Sequence, residues 1–581
     1  MNRLVGLVAL LGVFLSSCGE LKVEIPEYEA PGKIVQLDQG WNAQEWLEFH
    51  HTPQGTQLLP YKWFMALEQP CLSLFECDPL HDDAYLSRFG FLSSNKDEKL
   101  NPDGLPVGFA VQQDFTDPLT GKSFPVVGFT CAACHTGELR YDGHAVRIEG
   151  GPAMIELAQF QKAVGLAVGL TEKVPGRFGR FADRVLGEDA SEEARAALEK
   201  AFGDVLADGL ARNAATEEQK AEGVPAGFIR TDALARIGNE VFGFDMKING
   251  NLVPPDAPVR FPQIWDSSWL TWVQYNSSIS DPLVRNIGES LGVRASAKLY
   301  GPDAGEFKSS VYVDGLRTVE HLLAGDEPFG GLTSPQWPEV FPSIDEAKRA
   351  RGEELYKEHC EKCHLPSIEE LKADLALEEP KYWWENSLGL RLLIVRDIKV
   401  DFMGTDPRQA MDFIARTADA GDLAEGRLSA GDGLKVVTEG IALKFFEERS
   451  IPPEEQLEWR GMRDPKDPPV RAEAIYKARP LNGIWAVAPY LHNGSVPNLY
   501  ALLSPLEERP ATFWLGSKQF DPEKVGYQTT ELDGGYLFDT SLPGNSNKGH
   551  EYREGPLGDG AVGPALSEED RWALVEYLKS I

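Results

Sequence analysis

The sequence predicts a mainly α-helical protein of two domains with long loop insertions and an N-terminal extension, and three observations predict it. Helical periodicity recurs over 153–168, 189–211 and 344–364 and returns in the last fifteen residues. One pentapeptide pattern occurs twice, far apart in the chain, as CAACH at 131–135 and CEKCH at 360–364. Between them falls a proline-rich break, PFGGLTSPQWPEVFPS at 327–342.

At 581 residues, with 42% hydrophobic and 10% aromatic content, the chain can build two or three domains around a large core. A formal net charge of -33 argues against nucleic acid as a partner. The same charge would steer a small basic redox protein inward, or serve solubility alone.

In chain order, residues 1–17 carry Arg3, an apolar run from Leu4 to Leu15 and a close of Leu15-Ser16-Ser17-Cys18, which reads as an export signal. Leu-Ser-Ser-Cys resembles the bacterial lipobox, whose cysteine becomes the lipidated first residue. That resemblance makes Cys18 a lipid anchor, and Gly19, standing where a retention signal has Asp, implies the periplasmic or cell-surface side of the outer membrane. The membrane is then met only through the anchor. Residues 18–100, with Trp41, Trp46, Trp63 and Phe64, form the N-terminal extension, whose expected job is to cover a domain. Within it, Cys71 and Cys77 can close a short disulfide loop in an oxidising compartment.

Residues 101–326 form the first domain. The apolar, β-branched run Val126–Thr130 predicts an extended entry into CAACH. The pattern CxxCH has a chemical reason: two thiols three residues apart can bond the two vinyl groups of one porphyrin, while the next imidazole coordinates its iron. Cys131 and Cys134, with Cys360 and Cys363, therefore predict two covalently bound haem c groups whose proximal ligands are His135 and His364. A zinc site or dithiol redox pair suits an exported chain less well. In FPQIWDSSWLTWVQY (261–275), Trp265, Trp269 and Trp272 recur at spacings of four and three, which would align them on one helical face. Such a stripe builds core or lines a haem edge, and Trp265 and Trp269 are the candidate pocket residues.

After the linker 327–342, the second domain spans 343–581. Ser343 with Glu346 predicts a capping box, and Gly352, Leu355 and Tyr356 lead into CEKCH. This looks like the opening helix of a class I cytochrome c, where Gly permits close crossing by the terminal helix. Ser567, Asp570, Leu574, Leu578 and Ile581 mark that terminal helix. The first domain, having its own CxxCH, is expected to be cytochrome c-like as well. For the sixth ligands the residues offer His550, His492 and Met403 among others.

Five segments resemble the dihaem cytochrome c peroxidase and MauG superfamily, and most closely its rubber oxygenase branch: GFTCAACHTG, RIEGGPAM (147–154), WVQYNSSISDPLVRNIGESLG (272–292), FMGTDP (402–407) and RPLNGIWAVAPYLHNGSVPNL (479–499). The resemblance implies that Gly549-His550-Glu551 supplies the histidine completing a bis-histidine C-terminal haem. His492, in the superfamily's Pro-Tyr-x-His-x-Gly signature, takes a supporting role beside that haem. The N-terminal haem on His135 would meet the oxidant, O2 or peroxide, while the C-terminal haem handles electrons. The peroxidase branch moves a peroxide proton with a distal carboxylate; Glu289 is available, though a helix carboxylate in such a setting is expected to be solvated. An oxygenase would instead have an apolar pocket and a small or polymeric organic substrate. The alternatives are a cytochrome c peroxidase reducing H2O2 with electrons from a small redox protein, and a non-enzymatic electron carrier with both irons six-coordinate.

Overall fold

The computed structural model describes residues 23–464 and 466–581. The expected export signal and Cys18 lie outside the described residues. The expectation of a mainly α fold built from two class I cytochrome c-like domains is overturned. Helix makes up 38% and strand 15%, and the described strands form nine small sheets of two or three strands each. The physical reason is that short β-branched and aromatic runs in the long loops pair with one another, as TFWL at 512–515 does antiparallel with YLFD at 536–539.

The first part of the chain holds β1 (Lys33–Gln36), α1 (Ala43–His51), β2 (Leu59–Pro60), β3 (Phe109–Gln112), β4 (Val126–Phe129), β5 (Thr136–Tyr141) and β6 (His144–Glu149). Helices α2 (Leu157–Lys173) and α3 (Glu192–Ala215) follow, covering the two expected helical stretches. β4 is the central strand between β2 and β3. β5 and β6 form a hairpin, joined by Asp142-Gly143 with φ of 45° and 73°, the left-handed pair that a two-residue turn requires and that Asp-Gly supplies at low cost. β1 lies parallel to β6, from Lys33 beside His144 to Gln36 beside Arg147. α1 opens on a capping box, with the Asn42 side chain accepting from Glu45 N and the Glu45 carboxylate accepting from Asn42 N, a device worth about 1 kcal/mol. Cys71 and Cys77 are joined in a disulfide.

The later chain contributes α4 (Pro282–Gly292), α5 (Glu346–His359), β7 (Arg396–Lys399), α6 (Ala430–Arg449), β8 (Ile475–Ala478) and α7 (Glu568–Lys579). α4 and α6 pack Ile287 and Leu291 with Val437 and Ile441 in a helical core of their own. α5 starts on Asp345, which accepts from Ala347 N and Lys348 N, so the Ser343 capping box does not form. α7 starts on Ser567, whose hydroxyl accepts from Asp570 N.

The crossing of α5 and α7 is as expected: a Cβ on Gly352 would stand 2.0 Å from the Ala573 carbonyl oxygen, so only glycine lets the helices meet there. Tyr356 and Tyr577 close the contact with ring centroids 5.2 Å apart. The proline-rich 327–342 stretch contains no helix or strand yet is packed. Trp337 and Phe341 meet Trp485 edge-on at 5.3 and 6.0 Å, and Trp485 Nε1 donates to the Pro335 carbonyl. One large core runs from Ile25 of the extension through Phe109 and Phe160 to Leu578 near the C-terminus. No described helix is long and apolar enough to cross a membrane.

Candidate functional site

The first CxxCH sits in a β setting. β4 delivers the chain into a single 3-10 turn, Cys131–Ala133, and β5 takes it away directly after His135, so the extended entry expected from Val126–Thr130 is present. The turn is seated from below. Thr130 N donates to the Gly108 carbonyl at 2.8 Å, and Thr130 Oγ1 donates to the His50 carbonyl at 3.0 Å. Gly108, at φ 88°, lies so close that a Cβ there would come within 2.2 Å of Ala133 Cα. A buried His50–Glu149 pair at 2.9 Å, joined by Thr136 Oγ1 at 3.3 Å, ties α1 and β6 to the residue after His135.

His135 Nδ1 donates to the Pro262 carbonyl at 2.8 Å, and burial holds the imidazole's pKa down to about 4. The ring is therefore neutral at pH 7, its Nδ1 committed as a donor and its Nε2 lone pair left for coordination, the arrangement metal-ligating histidines adopt. Phe261 is its ring neighbour, edge-on at 6.4 Å.

Glu289 of α4 stands within electrostatic reach of both Cys131 and Cys134. It accepts Gln274 Nε2 at 2.5 Å, and burial raises its carboxyl's pKa above the ordinary value. The expected solvated helix carboxylate is thus an inward-facing one. Its polar surroundings continue through Arg285, which is paired with Glu320, and Asn286 Nδ2, which donates to Glu320 at 2.9 Å.

The second CxxCH is helical. α5 ends at His359, and Cys360 caps the one-turn helix Glu361–His364. Tyr356 Oη donates to the Leu365 carbonyl at 2.6 Å, holding the turn onto α5. His364 Nδ1 donates to the Arg479 carbonyl at 2.9 Å, and burial lowers its pKa. Facing it is His550, with ring centroids 6.1 Å apart and planes tilted by 55°. With Cys360 and Cys363, these two imidazoles are the residues that would hold a haem here, whose iron would exchange electrons.

His550 is held there by its loop. Its backbone has φ 50°, and its N donates to the Met403 carbonyl at 3.1 Å. A Cβ on Gly549 would fall 2.4 Å from Gly404 C and Thr405 N. Arg509 donates to the carbonyls of Asn547, Gly549 and His550. Met403 thus meets His550 through its backbone. His492 stacks on Tyr476 at 4.3 Å and 29°, and Tyr476 Oη donates to the Asp406 carbonyl at 2.7 Å. His492 therefore joins the 402–407 segment that supports His550, and burial pulls its pKa down to about 3.

The tryptophan stripe does not form a helical face. Asp266 and Gln274 take φ of 66° and 64°, and only Ser267–Trp269 make a helical turn, of the 3-10 kind. Trp265 is fully buried with Nε1 donating to the Asn482 carbonyl at 3.0 Å, and Trp269 Nε1 donates to the Ala324 carbonyl at 2.8 Å. Both serve packing. Trp272 lies under the Arg471 guanidinium at 4.0 Å. What sequence reasoning missed are the two acceptors, Pro262 and Arg479, because a backbone carbonyl carries no residue-type signal.

Residues 475–514, which include Arg479 and His492, match the family model described as RoxA-like, cytochrome c-like. The chain is also similar to two proteins of Sinorhizobium fredii. It is 26% identical to uncharacterized protein y4iM over 347 residues, 56% of this chain and 66% of that protein. It is 44% identical to uncharacterized protein y4iJ over 579 residues, 96% of this chain and 95% of that protein. The four motif cysteines are free thiols, outside any disulfide, and the cytochrome c-like match points to haem c as a cofactor of the chain. With similarity running through almost the whole length of both chains, this protein belongs to the family of y4iJ and carries within it a RoxA-like cytochrome c stretch.

Proposed function

We propose that the chain is an exported dihaem c-type oxidoreductase whose two haems do different work. Cys131, Cys134 and His135 would hold the first, and Cys360, Cys363, His364 and His550 the second. Bound haem supplies an iron that exchanges electrons and, where its sixth position is open, reacts with O2 or peroxide. The observation that carries the reading is the asymmetry of the imidazoles: His364 faces a second imidazole at 6.1 Å, whereas the ring beside His135 is Phe261. The superfamily of dihaem cytochrome c peroxidases and MauG is the wider relationship we infer.

Peroxide is the oxidant the first site suits better. Reducing H2O2 to two waters takes two electrons and two protons, so a group that can release and retake a proton is needed. Glu289 is that group. Burial raises its pKa above the ordinary carboxylate value, and Gln274 donates to its Oε1, so Oε2 is the oxygen through which it would take and release a proton. Electrons would come from a small redox protein, steered by the net charge of -33 if it is basic. The second reading, an oxygenase acting on a small or polymeric organic substrate, is favoured by the RoxA-like match.

We read residues 1–17 as the export signal, Cys18 as the lipid anchor, and the periplasmic or cell-surface side of the outer membrane as the location. The units 18–100, 101–326 and 343–581, with 327–342 between the last two, are our proposed division of the chain.

An electron-spin spectrum of the oxidised protein tests the enzyme reading. One low-spin and one high-spin haem are expected; two low-spin signals alone would make it a carrier. Purified protein should then consume peroxide with a reduced cytochrome. Cleavage of polyisoprene or unsaturated lipid under O2 with peroxide left untouched would favour the oxygenase.

A further inference from the structure

His135 and His364 belong to different parts of the fold, yet one run of hydrogen bonds connects them. His135 Nδ1 donates to the Pro262 carbonyl at 2.8 Å. The carbonyl of the next residue, Gln263, accepts Arg479 Nη1 at 2.7 Å, and Arg479 Nη2 reaches the Trp265 carbonyl at 3.2 Å. The carbonyl of the same Arg479 accepts His364 Nδ1 at 2.9 Å. Arg479 thus fixes His135's acceptor segment with its side chain and is His364's acceptor with its backbone.

The acceptor at Nδ1 matters because it sets the orientation and the basicity of the imidazole, and through them the electron density at the metal. Two sites with separate acceptors would be tuned separately. Here a displacement of Arg479 alters both acceptors together, and a change at either histidine is passed to the other. Coupling of this kind is reciprocal.

We propose that Arg479 is a positioning residue for both proximal histidines and couples the two haem sites, an inference that rests on the two-haem reading. Its side chain touches neither imidazole, so its effect on the first site passes through the 262–265 backbone. Nothing in the proposal requires an electron to travel along the hydrogen bonds.

The test uses the full holoprotein and Arg479→Met, which keeps the backbone carbonyl and an unbranched apolar stem while removing the donors. Haem content by mass comes first. Wild type carrying a single haem would refute the two-haem reading, which is a different failure from any below. Potentiometric titration and electron-spin spectra then read both haems. We expect both midpoints to move by about tenfold in the oxidised-to-reduced ratio at fixed potential, or about 59 mV for one electron. Arg479→Lys, whose ammonium can still donate to a carbonyl of the 262–265 backbone, should return the first haem's midpoint most of the way to the wild-type value. A change confined to the His364 haem, or seen at neither, overturns the proposal. If Arg479→Met yields no holoprotein, His550→Ala decides in the Arg479→Lys and wild-type backgrounds. That substitution should shift the His135 haem in wild type and shift it less in the Arg479→Lys background, where the shorter side chain holds the 262–265 backbone more weakly. An equal shift in both backgrounds, or none in wild type, overturns the proposal.

Discussion

The two CxxCH motifs share their chemistry but not their surroundings, and the contrast is instructive. The first lies between two strands, seated on α1 of the extension and pinned by Gly108 and Thr130. The second lies at the end of a helix that crosses the terminal helix at Gly352. Binding a porphyrin covalently requires only five residues in register. What an iron held there would do is set, in our proposal, by what approaches from outside the motif: a histidine on a glycine-rich loop at the second site, and a carboxylate on α4 at the first. The difference teaches that the motif fixes attachment and the distant chain fixes reactivity.

The strongest way to break this comparison is to remove attachment. Cys360→Ala with Cys363→Ala should leave a protein with one covalent haem, read by mass, that has lost the low-spin signal and kept the high-spin one. Loss of the high-spin signal instead would invert our assignment of the two sites. Next, Glu289→Gln should lower peroxide turnover by about 10²-fold or more while leaving haem content and spin states unchanged. An unaltered kcat would remove the acid–base role that separates the first site from the second.

Packing offers a smaller effect. Gly352→Ala forces a methyl group against the Ala573 carbonyl and should cost about 1–3 kcal/mol in chemical denaturation, loosening the second site before the first. His51 sharpens the comparison by pH. Its Nδ1 donates to the Phe109 carbonyl at 2.7 Å beneath the first site, and burial lowers its pKa from 6.5 to about 4. The unfolded chain therefore binds a proton between pH 6.5 and 4 that the folded chain refuses, so this contribution is complete above pH 6.5 and is lost as the pH falls toward 4. His51→Gln should flatten the loss of stability on acidification, by about 1 kcal/mol at pH 5.5. Parallel acid profiles for the two proteins would show that His51 takes up its proton equally in the folded and unfolded states.

Parts of this were legible in the residues. Covalent haem attachment needs a local pattern, so Cys131, Cys134, Cys360 and Cys363 could be singled out as its candidates from the sequence alone, and the structure leaves all four outside any disulfide. Gly352 announced a helix crossing because its place before CEKCH resembles a known arrangement. The Asp142-Gly143 hairpin follows from turn chemistry, though we anticipated no strand pair there. The tryptophans misled because spacings of four and three satisfy a helix whatever the backbone does, and left-handed Asp266 and extended Leu270 interrupt it. Glu289 faces the motif only because α4 packs where it does, which no local signal reports. His550 stood out through resemblance; its own neighbourhood is a loop of glycine and charged residues.

Ile25 and Leu578 share one core, Gly483 N donates to the carbonyl of the last residue, Ile581, and β1 lies along β6. The segment from Ile25 and the terminal helix therefore contribute to one core although they lie far apart in the chain, and contacts of that kind form slowly. That core is expected to close late in folding, once the terminal helix is present.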